Sequence, residues 1–103
     1  MKQTFYQGDI LRITGHNILF VVASNDTYIR ASGCFHVCAM LPEGEAGPLH
    51  LPVVGQKGTA GTVACEQIKL IDPGGHHCRA VDSLATGDLL NVVYALQSIF
   101  DYI

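Results

Sequence analysis

The chain has no tryptophan, and only six of its 103 residues are lysine or arginine, against nine aspartates and glutamates. With a formal net charge of −3, it lacks the diffuse positive field that gathers nucleic acid, so any contact with RNA or DNA has to be local. No apolar run approaches the roughly 18–20 residues that a bilayer-spanning helix needs, and no charged n-region followed by an apolar core opens the sequence. The expectation is a cytoplasmic protein without membrane contact. Cysteine is also scarce: Cys34, Cys38, Cys65 and Cys78 do not have the density of a secreted disulfide framework, which predicts free or buried thiols. Charged residues make up only 15% of the chain and hydrophobic ones 49%. That balance excludes disorder and predicts that a partner covers part of the surface, most simply in an oligomer.

What is present fits one domain over residues 1–103, large enough to bury a modest core. FYQGDILRI (5–13) reads as a first strand with a bend at Gly8 and Asp9. TGHN follows as a hairpin turn, Gly15 and Asn17 both tolerating positive φ, and ILFVVAS (18–24) as a second, deeply buried strand. NDTYIRASG is polar enough for a loop or one helical turn. CFHVCAML predicts a third strand, PEGEAGP a turn-rich excursion, LHLPVV a short strand, and residues 78–84 a last one. A helix closes the sequence, with Thr86 as its N-cap, Asp88 in its first turn, and Leu89, Leu90, Val93, Leu96 and Phe100 at helical spacing. Five or six short strands followed by one helix imply a mainly β fold, a small curled barrel with a C-terminal α-helix.

GTVACEQIKLID (61–72) does not read as a simple strand. Val63 and Cys65 set an odd-numbered apolar phase, whereas Ile68 and Leu70 continue it on even numbers, with Glu66 and Gln67 between. Strict alternation of side chains makes a one-residue slip either a bulge or an exchange of the buried face. A second segment, Cys34-x-His36-x-Cys38, places three metal-ligand types on one face of a strand. At a rise of roughly 3.3 Å per residue its outer two lie about 13 Å apart, too far to share one ion. No metal site is expected there, and a shared site with the His76-His77-Cys78 cluster is the remaining alternative.

GDI at 8–10, ILFVVAS at 18–24, ACEQIKLID at 64–72 and the terminal amphipathic helix together resemble the MazF/PemK family of toxins from type II toxin–antitoxin systems. CEQIKLID is similar to that family's signature, with Glu66 where aspartate is usual. The resemblance implies an SH3-like barrel, a homodimer, a cognate antitoxin as partner and metal-independent, cofactor-free endoribonuclease action on single-stranded RNA. It also implies that the slip turns Glu66 and Gln67 toward the concave groove of the dimer, the alternative being a structural bulge whose Gln67 amide satisfies nearby backbone groups. The chain departs from the family in three places. The long first loop and its Arg-Pro pair are replaced by TGHN, Leu41 stands where the family has threonine, and Ala64 stands where some members have arginine. A looser similarity, to the CcdB family of gyrase inhibitors, lies in the short first hairpin and the IFDYI ending, where Tyr102 could anchor a partner.

RNA cleavage without metal needs a base for the 2′-hydroxyl, an acid for the departing 5′-oxygen and donors for the phosphorane charge. Under the resemblance, His16 is the acid/base candidate, since a histidine's ordinary pKa lies near neutrality, and Glu66 its partner base. Arg12, Asn17, Arg30, Gln67 and Lys69 are the candidate RNA contacts. The alternative is a barrel that keeps its protein-binding surfaces and has lost the RNA site.

Overall fold

The computed structural model describes residues 4–100. Six strands form one antiparallel sheet: β1 (Asp9–Ile13), β2 (Leu19–Val22), β3 (Phe35–Leu41), β4 (His50–Val54), β5 (Ala60–Ile71) and β6 (Cys78–Ser83). Helices α1 (Asp26–Ser32) and α2 (Thr86–Phe100) complete it. The spatial order is β4-β5-β3-β2-β1-β6, so the two edges are β4 and β6. Those edges meet at one end, where Gly55 bridges Leu84 and the Gln56 amide donates to the Ser83 carbonyl at 2.8 Å. The sheet is thereby curled without being closed along its length, in agreement with the expected mainly β architecture. Pro52 is tolerated in β4 because an edge strand has one side that pairs with nothing.

The first hairpin turn is tighter than TGHN. The His16 amide donates to the Ile13 carbonyl at 3.1 Å, and Gly15, third in that four-residue turn, has φ +93°. A type II turn demands this geometry and glycine supplies it without steric cost. Asn17 is not in the left-handed region, as no non-glycine residue among those described has positive φ. The polar segment after β2 is a seven-residue helix, α1, whose Asn25 side chain accepts from the Tyr28 amide and whose C-cap is Gly33.

Alternation along β2 divides the core in two. Phe20 and Val22 join Leu11, Ile13, Phe35, Val37, Ala39 and Ile71 in one apolar cluster. Val21 points the other way, into a cluster with Ile10, Cys38, Met40, Val63, Cys65 and Val92. Helix α2 covers this second face. Its first helical residue is Thr86, the Leu89 amide bonding to the Ala85 carbonyl at 3.0 Å, so the cap lies one residue earlier than the sequence suggests. The buried stripe is also rotated: Val92 is fully buried, whereas Leu90 and Phe100 are 44% and 73% exposed. Val92→Ala should therefore cost about 1–2 kcal/mol in chemical denaturation, and Leu90→Ala less than about 0.5 kcal/mol.

The phase slip of residues 61–72 is a bulge. Cys38 pairs with Ile68 and its neighbour Ala39 with Ala64, so one step along β3 corresponds to four along β5. Cys65, Glu66 and Gln67 are the surplus. Cys65 stays buried, its amide donating to the Leu49 carbonyl at 2.8 Å, while Glu66 and Gln67 are exposed. The expected even-numbered phase beyond the slip does not bury Leu70, which is 59% exposed; Ile71 enters the core instead.

Candidate functional site

The bulge is where polar chemistry concentrates. Pairing between β4 and β5 ends with His50 opposite Ala64, and two residues further on the widened backbone presents Glu66. There the His50 Nε2 and Glu66 Oε1 lie 2.5 Å apart. This hydrogen bond, reinforced by the Glu66 amide, holds the Glu66 carboxyl below its ordinary pKa. Its sign follows: the carboxylate favours the folded state at neutral pH, and its share is lost as pH falls through the depressed value. With both side chains more than a third exposed, that share is small.

Beside this pair lies a cavity of about 360 Å³ lined by His16, Ile18, Phe20, Ala39, Glu66, Gln67, Ile68 and Lys69. Phe20 and Ala39 are register partners on β2 and β3, and the short Ala39 side chain stands at the point where β5 bulges away. Both belong to the first apolar cluster, so the cavity opens on the face opposite α2. His16 reaches it from the β1–β2 turn, its ring edge-on to Phe20 at a centroid distance of 5.2 Å and 89°. Residues about fifty positions apart in the chain are thus brought to one depression: an imidazole, a carboxylate, a carboxamide and an ammonium.

Of the other sequence candidates, Arg12, Asn17 and Arg30 do not line this cavity. Arg12 is exposed on β1 between Leu19 and Arg79. Asn17 is exposed just after the turn. Arg30 is on α1 beside a separate cavity of about 790 Å³, together with Cys34, His76, His77 and Cys78. No three histidine, cysteine, aspartate or glutamate side chains among the described residues come together to hold a metal ion. Behind the site, burial first, then for Cys38 the neighbouring thiol, and for both the charge of Glu66, push the thiols of Cys38 and Cys65 up to about 12 and about 11, which disfavours the thiolate. His50 is the residue that sequence reading missed. Its signal was positional, because a strand pairing antiparallel with 60–64 had to set some side chain opposite Ala64.

A curled six-stranded antiparallel sheet carrying a C-terminal helix on one face defines a class of small, mainly β folds. Within it, the fold is that of MazF. The MazE–MazF crystal structure, form I, from Deinococcus radiodurans superposes with a TM-score of 0.81 at 17% identity, covering 95% of this chain and 97% of that one. Form II of the same complex gives 0.82 at 16% identity, covering 95% and 96%. MazF alone from that organism, form I, gives 0.80 at 15% identity, covering 95% and 97%. The sequence itself matches no family model and none of the curated proteins. Likeness therefore survives in the backbone over nearly the whole chain while few side chains are shared. No described helix is long and apolar enough to cross a membrane.

Proposed function

We propose that this protein is the toxin of a type II toxin–antitoxin system, a metal-independent endoribonuclease acting on single-stranded RNA in the cytoplasm as a homodimer, with a cognate antitoxin as its partner. The observation that carries the reading is the convergence of His16, Glu66, Gln67 and Lys69 on one cavity of a MazF-like fold. In the reaction, Glu66 takes the 2′-hydroxyl proton as the O2′–P bond forms. The P–O5′ bond breaks, and His16 gives its proton to the departing oxygen. Lys69 and the Gln67 amide face the charge that accumulates on the non-bridging oxygens. The products are a 2′,3′-cyclic phosphate and a 5′-hydroxyl.

Purified protein should cut single-stranded RNA in the presence of EDTA, and His16→Ala should slow that cutting roughly 100-fold. Cleavage that requires added metal, or that His16→Ala leaves unchanged, would remove the assignment. One observation favours a second reading, binding without catalysis. Among the described residues Lys69 is the one permanent cation lining the cavity, and the overall charge is acidic. A protein that cuts no RNA yet captures the product of an adjacent small acidic gene would decide for it. The gyrase-inhibitor reading draws on the short first hairpin and on the chain end, where Phe100 is 73% exposed and Tyr102 lies outside the described residues.

A further inference from the structure

We infer that His50 is a positioning residue for Glu66, donating Nε2–H to one carboxylate oxygen so that the other is left to take a proton from a ribose 2′-hydroxyl. The inference rests on the proposed ribonuclease activity and assigns to the site a residue from a strand that the sequence motif does not include.

Three features carry it. Glu66 lies in a bulge, where the backbone is not held by the cross-strand ladder on either side; such a carboxylate needs another restraint if it is to act from one orientation. The contact that supplies it is direct, with 2.5 Å between His50 Nε2 and Glu66 Oε1. The direction is also right: buried Val53 on β4 points to the second apolar cluster, so alternation sends His50 to the opposite face, where His16, Glu66 and Lys69 share the cavity. An imidazole in this place can donate one N–H to the carboxylate in either protonation state, so the restraint persists across neutral pH.

The groups around Glu66 are His50 from β4, His16 from the β1–β2 turn, Lys69 further along β5, and the buried thiols of Cys65 and Cys38. Of these, His50 alone among the described residues makes a side-chain hydrogen bond to it. Removing that bond frees the carboxylate to rotate and lets its pKa rise. Both effects appear in kinetics, and only the first is expected of a loss of order alone.

The test is the pH–rate profile for cleavage of a single-stranded oligonucleotide containing one ribonucleotide, in EDTA, for the full chain and for His50→Ala, His50→Gln, Glu66→Gln and the double variant His50→Ala/Glu66→Gln. His50→Ala should lower kcat about tenfold with little change in KM, and move the acidic limb of the profile upward. His50→Gln, which keeps an N–H donor, should recover most of the rate. The double variant should be no slower than Glu66→Gln, because a residue that acts through Glu66 has nothing left to act upon. If the unaltered protein cuts RNA but His50→Ala leaves rate and limb in place, or slows the double variant further, the positioning role is overturned and the ribonuclease reading stands. If the unaltered protein cuts no RNA at any pH, both fall together.

Discussion

Glu66→Gln should leave the protein folded and slow RNA cleavage by roughly 10²–10⁴-fold, the span general acid–base catalysis covers. The substitution keeps the side chain's shape and its oxygen acceptor while removing the only carboxylate that lines the cavity among the described residues. Structural cost is small because Glu66 is 39% exposed and stands in a bulge without a register partner on either side. Binding should move the other way. A carboxylate beside a phosphate path repels it, so an uncleavable RNA analogue should bind the variant as tightly as the parent or more so. Parallel measurement of cleavage rate and analogue affinity separates the two effects. A variant that retains a rate within about threefold of the parent would show that Glu66 is not the base.

The part of this site visible in the sequence was the part written along one strand. An interrupted apolar alternation at 63–70 marks a departure from a regular strand, either a bulge or an exchange of the buried face, because no regular strand accommodates a phase slip; pairing with β3 makes it a bulge. The bulge did place Glu66 and Gln67 outside the core, and the Gly15 turn did carry His16 to the same cavity. His50 was invisible for a definite reason. Ala64, two residues before Glu66 along β5, carries no polar group itself, whereas the structure sets a histidine across from it on the neighbouring strand. Pairing register between β4 and β5 depends on the length and path of the PEGEAGP excursion, which apolar periodicity does not determine.

Helix α2 shows the same limit in a milder form. Its existence and its apolar character follow from composition, but Leu89, Leu90, Val92, Val93, Leu96, Ile99 and Phe100 offer more apolar positions than one face can bury. Which of them turn inward is decided by where the helix lands, and it lands on Val92. Arg12 and Arg30 failed to reach the cavity through an analogous ambiguity. Charge in a sequence identifies a cation without saying which side of a strand or helix presents it.

Asp82→Ala should produce the largest loss of stability, lowering Tm at neutral pH by at least about 10 °C. Asp82 lies on β6 with 6% of its surface exposed and acts as a clasp for the turn after β4. Its Oδ1 accepts from the Lys57 amide at 2.9 Å and from its neighbour Ser83 at 2.7 Å. Its Oδ2 accepts from the Thr59 amide at 3.1 Å. Burial alone would raise the carboxyl's pKa, but these amides and the Thr59 hydroxyl outweigh it and bring it down to about 2, from 3.8 in an unstructured chain. A folded-state pKa below the unfolded one means that the carboxylate stabilises the protein above about pH 4 and that this contribution disappears as pH falls toward about 2. The Tm difference between parent and variant should accordingly be full at pH 7 and shrink through that window, provided the scans are reversible. Gly55 supplies an independent check, since a β-carbon there would run into the Asp82 carboxylate. Gly55→Ala should displace the clasp and lower Tm as well, with a penalty that likewise diminishes in acid. An unchanged Tm in Asp82→Ala, or a difference that persists undiminished at pH 2, would show that the turn and the meeting of the sheet edges are held by something other than this carboxylate.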